Sequence, residues 1–202
     1  MSKRKDLKII ASMIKPKSRV LDLGCGDGNL LNDLIQKKQV SGLGIEIDIE
    51  KIKKCLENGV SVVQEDLNEG LKDFNDNSFD YIILSQTLEH ISKPIYLIKD
   101  MLRVGKKCII SFDNIAYWKN RISFLFKGNL DRGHYQKEVV YREGKQHLLT
   151  IKKFLELCKL YNISISDQIY LPHLKIVRKF PNSFSKTAIY VLKKGNRGKI
   201  KK

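Results

Sequence analysis

The chain has 202 residues, enough for one domain with a sizeable core, and 42% of them are apolar, as in ordinary globular chains. No apolar run reaches the roughly 18–20 residues that span a bilayer, and four scattered cysteines with no CxxC pair argue against zinc or a disulfide framework. The net charge of +16 sits mainly at the ends, +6 on residues 1–19 and +6 on residues 193–202, with only +4 on the 173 residues between, which reads as solvated basic ends and argues against a specific nucleic-acid face.

The chain opens with MSKRKDLKIIASMIKPKSRV, whose apolar patch is too short and too interrupted by lysine for a signal peptide, so the cytoplasm is the expected compartment. Residues 6–14 read as an amphipathic helix and SRVLDL (18–23) as a strand. DGNLLNDLIQK (27–37) places Leu30, Leu31 and Leu34 on one helical face, and VSGLGIEID (40–48) is a second strand. IEKIKKCLE (49–57) is a helix closed by Asn58-Gly59, followed by a third strand, VSVVQED (60–66). FDYIILSQ (79–86) is nearly continuous in apolar residues, as in a strand covered on both faces. Helix 94–104 opens on Pro94, and KKCIISF (106–112) is the fifth strand.

After Phe112 the rhythm breaks. Residues 113–149 read as an insertion with a helix in NIAYWKNRISFLFKG and a polar stretch beyond it. It resumes with a helix at 150–161 and the strand-like runs ISISDQIY and KTAIYVLKK. The alternation predicts an α/β fold with a doubly wound, mostly parallel sheet, in which ligands bind beyond the carboxyl ends of the strands. Residues 1–192 are expected to form a single domain and 193–202 a flexible basic tail.

The turn after the first strand is GCGDG, with Gly24, Gly26 and Gly28 between Asp22 and Asp27. Three alternate glycines let a ligand approach the backbone. Flanking acids make a poor site for pyrophosphate and suit a cationic ligand end, such as the ammonium and sulfonium of S-adenosylmethionine. Glu46, ending the second strand, is placed to take ribose hydroxyls, and Asp66, ending the third, to accept from an adenine amino group beside Leu67. The predicted cofactor contacts are Asp22, Gly24, Cys25, Gly26, Gly28, Glu46, Ile47, Asp66, Leu67, Ser85 and Gln86.

DLGCGDG, GLGIEID, Asp66-Leu67 and NSFDYIILSQTLEHI resemble the class I S-adenosylmethionine-dependent methyltransferases over residues 18–112. More narrowly, LDLGCGDGNLLNDL, GVSVVQEDLNEGL, FDYIILSQTL, MLRVGKKCIISFDN and HLLTIKKFLELC resemble the MetW family of methionine biosynthesis over residues 18–160. The resemblance implies a Rossmann-like fold, bound S-adenosylmethionine or S-adenosylhomocysteine, and homoserine O-acyltransferase as partner, with no methyl acceptor specified.

Three segments depart from the family pattern. Glu89-His90 follow SQTL where the family carries glutamine and a small residue. Asp113 stands at the proline of SFPN, and YREGKQH replaces a YDTPNIH-like run, keeping only Tyr141 and His147. LEHI is common in small-molecule methyltransferases, which makes a freestanding enzyme of that kind the alternative reading and His90 and His147 the candidate bases. A basic-tailed RNA-associated enzyme is a third. Tyr117, Trp118 and Phe124 could line an acceptor pocket, although aromatic residues at helical spacing read first as core.

Overall fold

The structure is a computed structural model that describes residues 4–128, 147–171, 177 and 179–194. Helix α1 (Lys5–Met13) leads into β1 (Arg19–Leu23), α2 (Asn29–Lys38), β2 (Ser41–Glu46), α3 (Ile49–Glu57) and β3 (Val62–Gln64). After these come β4 (Phe79–Ser85), α4 (Pro94–Val104), β5 (Gly105–Asp113), α5 (Trp118–Lys127), α6 (Ile151–Leu160), β6 (Ser164–Leu171), α7 (Pro181–Phe184) and β7 (Thr187–Lys193). Short 3-10 turns at Leu67–Glu69 and Leu88–His90 follow β3 and β4.

The seven strands form one sheet in the order β3-β2-β1-β4-β5-β7-β6. Neighbours from β3 to β5 run parallel, whereas β7 is antiparallel to both β5 and β6. The strand order reverses at β1, which pairs β2 on one side and β4 on the other, so the ligand crevice of an open α/β sheet opens at the carboxyl ends of β1 and β4.

Period-two alternation sorts the strand side chains into two cores. Leu21, Leu23, Ile82, Leu84 and Phe112 join one face with Ile98, Met101 and Phe154. Val20, Tyr81, Ile83 and Ile109 join the other with Ile10, Ile14, Leu31 and Leu34. Both faces are covered, which explains the unbroken apolar run of β4. Asp22, Ser85 and Ser111 fall on the register of the second face, the one covered by α1 and α2.

Local chemistry sets the helix starts. The Asp48 side chain accepts from Glu50 N at 3.0 Å to begin α3, and Thr150 accepts from Lys153 N at 3.0 Å to begin α6. β3 is shorter than the predicted 60–66 because Val60 N bonds back to Cys55 O, while Asp66 turns to cap the following 3-10 turn. The predicted polar stretch after Gly128, including Tyr141, and the tail beyond Lys194 lie outside the described residues.

Candidate functional site

The glycine turn is folded onto the end of β2. Gly24 N and Cys25 N both donate to Ile45 O, at 2.8 and 3.0 Å. Gly24 has φ +68°, and a Cβ there would lie 2.7 Å from Thr87 Oγ1 in the segment after β4. Gly26 has φ +59°, and a Cβ there would meet no atom within 4 Å. The first glycine therefore serves packing between loops, whereas the second keeps backbone bare beside open space.

Glu46 is buried, and its carboxylate organises the turn. Oε2 accepts from Gly26 N at 2.9 Å, and Oε1 accepts from Ile47 N and Asp48 N at 3.0 and 3.1 Å. Three of about four acceptor positions on a carboxylate are thus committed to backbone. A ribose diol would have to share these oxygens, a constraint absent from the sequence reading. Ile47, beside it, is a large apolar side chain left 59% exposed, an apolar surface against which a nucleobase could pack. Asp66 Oδ1 accepts from Asn68 N and Nδ2 at 2.9 and 2.8 Å, and Leu67 is buried behind it.

Asp22 is buried at the end of β1. Burial, reinforced by Glu46, pushes its carboxyl up to about 7, while the Arg4 guanidinium draws it down. A buried acid of this kind stabilises a cationic group brought against it. Cys25, half-buried, lies with its Sγ 3.7 Å from that of buried Cys55, and burial pushes both thiols up. Cys55 Sγ donates to Gly26 O at 3.0 Å, tying α3 to the turn.

Across the crevice, Ser85 ends β4 and Gln86 follows in the left-handed region, φ +53°, its N–H on Ser111 O at 2.8 Å. Such backbone in a non-glycine residue is uncommon and clusters at functional sites. Gln86 Nε2 donates to Asp113 Oδ1 at 3.3 Å, and Thr187 Oγ1 donates to the same oxygen at 2.7 Å. Asp113 N donates to Glu89 Oε1 at 3.1 Å, so two of the departures from the family pattern meet. Burial pushes Glu89 up to about 7, and burial also raises Asp113. His147 N donates to Glu89 O at 2.8 Å. Neither Glu89 Oε2 nor His147 Nε2 finds a hydrogen-bond partner among the described residues. His90 closes the 3-10 turn and is exposed.

The predicted cofactor residues thus come together along the carboxyl ends of β1 to β4. Sequence reasoning missed Arg4 and Asp6, which reach the same edge from α1, and the anchoring roles of Thr87 and Asp113. Asp6 carried one signal: it is the sole acid among the seven basic residues of positions 1–19. The expectation that α5 aromatics form core is corrected. Tyr117 is buried, but Trp118 and Phe124 are exposed, and α5 buries no residue. Among the described residues no cluster of three or more His, Cys, Asp or Glu could hold a metal, and no helix is long and apolar enough to cross a membrane.

The family described as methionine biosynthesis protein MetW matches residues 4–192. The chain is 31% identical over 174 residues, 82% of its length, to the bifunctional methionine biosynthesis protein MetXA/MetW of Rhodopirellula baltica, of which it spans 28%. Among solved structures it superposes on an S-adenosylmethionine-dependent methyltransferase from Archaeoglobus fulgidus with a TM-score of 0.66 at 20% identity, covering 94% of this chain and 91% of that one. It also superposes on the [4+2]-cyclase SpnF, with a TM-score of 0.65 at 16% identity, covering 95% and 81%. The fold is that of the S-adenosylmethionine-dependent methyltransferases, and a cyclase carries it too, so fold alone leaves the chemistry open.

Proposed function

The chain belongs to the MetW family of methionine biosynthesis proteins, and from that premise we propose that it binds S-adenosylmethionine or S-adenosylhomocysteine and acts with a homoserine O-acyltransferase to support acyl transfer to homoserine. The relative that joins MetXA and MetW in one chain supports this reading, because fusion holds the two parts at high effective concentration.

The residues fit the ligand. Bare backbone at Gly26 faces open space, exposed Ile47 offers a face to adenine, and Glu46 offers carboxylate oxygen to ribose. Asp66 and Leu67 stand at the base, Asp22 at the cationic end, and Ser85 and Gln86 beyond it. When bound, S-adenosylmethionine supplies an electrophilic methyl group on sulfonium; the chain's residues hold and orient it and exclude water.

The partner contact falls on α5. Trp118, Ile122, Leu125 and Phe126 lie at i, i+4, i+7 and i+8, one helical stripe, and all are exposed. A contiguous apolar stripe directed at water marks an interaction surface.

Mixing the purified chain with the acyltransferase and assaying acyl transfer tests the proposal. Association and raised activity support it; an acyltransferase fully active alone, with no association, overturns it. Calorimetry with S-adenosylhomocysteine tests the ligand separately. Glu46→Ala should weaken binding by about 1.5–3 kcal/mol through loss of a charge-assisted acceptor, and further through loss of the Gly26 anchor.

A second reading is a freestanding methyltransferase acting on a small molecule. Glu89 Oε2 and His147 Nε2, both buried and without a hydrogen-bond partner among the described residues, favour it, because a carboxyl and an imidazole can serve an acceptor that must lose a proton. Methyl transfer from labelled S-adenosylmethionine into a metabolite extract, lost in His147→Gln, would establish it.

A further inference from the structure

The chain enters and leaves the sheet on one basic edge. β1 begins at Arg19 and the antiparallel β7 ends at Lys193, so both residues lie at the amino ends of the parallel strands, opposite the ligand crevice. Arg19 N donates to Asp80 Oδ2 at 2.9 Å at the start of β4, and Lys106 Nζ donates to Oδ1 at 2.8 Å from the start of β5. Cys108 pairs with Leu192, which sets Lys193 beside Lys107. Lys17 N donates to Lys38 O at 2.8 Å, so the connection from α1 to β1 joins the same edge. Strands stand about 4.8 Å apart, and the row from β1 through β4 and β5 to β7 spans roughly 14 Å.

Lys15, Lys17, Arg19, Lys106, Lys193 and Lys194 are all exposed here. Among the described residues, only Lys106 of these six has a carboxylate within salt-bridge distance, that of Asp80. In sequence the charge divides between two distant ends; the fold gathers part of each onto one face. Tyr161 stands at the far side of the row. It follows α6, three residues before Ser164, the pairing partner of Lys193, and is exposed with the Lys99 ammonium 5.2 Å from its ring centre.

Five cations without a carboxylate create a positive potential that a polyanion relieves. An exposed ring beside such a row adds a platform on which a base stacks. Unpaired bases beside phosphates are what RNA loops and ends present. Burying this ring among acyl chains would desolvate the Lys99 ammonium held against it, which disfavours a bilayer.

We propose that this edge binds single-stranded RNA without reading its sequence, Arg19 and the lysines neutralising phosphates while Tyr161 stacks on a base. The surface lies on the opposite side of the sheet from the S-adenosyl site and does not depend on it.

The test is fluorescence anisotropy of a labelled oligouridine 20-mer titrated with the full chain over a range of salt concentrations. Lys15→Gln/Lys17→Gln/Lys193→Gln/Lys194→Gln removes four edge charges. Lys53→Gln/Lys119→Gln/Lys127→Gln/Lys152→Gln removes four from α3, α5 and α6 and leaves the same net charge. The edge variant should bind about tenfold or more weaker at about 0.1 M salt, and its slope of log affinity against log salt should be shallower by about 0.7 per lost phosphate contact. The matched variant should stay within about threefold of wild type. Tyr161→Ala should weaken binding about fivefold or more with the slope unchanged, and Tyr161→Phe should bind like wild type. Melting temperatures should hold throughout, since all these side chains are exposed. Equal weakening by the two quadruple variants would reduce the effect to net charge and overturn the proposal. So would absence of oligouridine binding at about 0.1 M salt, including the case in which phosphatidylserine vesicles bind through the edge lysines instead.

Discussion

The backbone N–H of Asp113 donates to Glu89 Oε1 at 3.1 Å, joining the end of β5 to the turn after β4. Both residues depart from the pattern the chain otherwise resembles, and the pattern's proline at 113 has no N–H to give. The carboxyl at 89 and the donor at 113 are thus one feature. Asp113→Pro should destabilise the fold more than Asp113→Ala, by about 1–3 kcal/mol, because a buried acceptor loses its partner. In a Glu89→Ala background that extra loss should largely vanish. Denaturant unfolding of the four variants and the single Glu89→Ala measures the coupling; an extra loss of the same size in both backgrounds would place the cost in β5 alone.

Asp22 makes stability depend on pH in a defined direction. Its folded-state value near 7 lies above the ordinary 3.8, so between these values the folded chain holds a proton that the unfolded chain has released. Stability contributed through Asp22 therefore falls as pH rises across that window and levels off above it. Asp22→Asn removes the titration. The variant should gain melting temperature relative to wild type with increasing pH from about 4 to about 7, and hold that gain at pH 8. The same change should weaken S-adenosylhomocysteine binding, since the ammonium loses its counter-charge. A difference between the two proteins that does not vary with pH would contradict the assignment.

The two glycines of the turn separate packing from ligand access. Gly26→Ala carries the left-handed penalty of about 1–2 kcal/mol and places a methyl group in the open space beside the turn. It should fold and lose ligand. Gly24→Ala carries the same penalty plus a clash with Thr87 Oγ1 and Cγ2 at 2.7 and 2.8 Å, so it should melt lower still, and Thr87→Ala should restore part of the difference. Thermal melts without ligand, beside calorimetry with ligand, distinguish the two roles.

Much of this architecture was legible because short-range patterns carried it. Leu21 and Leu23 alternate with Val20 and Asp22 across a sheet covered on both faces, and helix α4 begins at Pro94 where proline is tolerated. The placement of the glycine turn, Glu46 and Asp66 together at the carboxyl edge of the sheet was legible for the same reason: each follows a recognisable strand. The Asp6 cluster was not legible. Its partners Ser85 and Ser111 lie 79 and 105 residues away, and an acid within a basic terminus reads as solvated. The carboxylate bonds of Glu46 to the turn were hidden likewise, because sequence shows that an acid ends a strand and not which N–H groups it has already taken. Periodicity also failed at α5. It shows that a helix has an apolar stripe, and only the packing shows which way the stripe faces.

That stripe yields the sharpest test of the partner reading. Leu125 and Phe126 are 76% and 78% exposed, so little of the fold depends on them. Replacing either with glutamate should change unfolding free energy by no more than about 0.5 kcal/mol, as for surface positions generally. S-adenosylhomocysteine affinity should also hold, because neither residue belongs to the turn or to the strand ends that build the site. At an interface the same change desolvates a charge where an apolar anchor belonged, an effect of about 2 kcal/mol or more, or at least about 30-fold in Kd. Association with homoserine O-acyltransferase and stimulation of acyl transfer should therefore fall together in Leu125→Glu and Phe126→Glu, while melting temperature and ligand binding stay at wild-type values. Undiminished association in the Leu125→Glu/Phe126→Glu double variant would place the contact elsewhere on the chain.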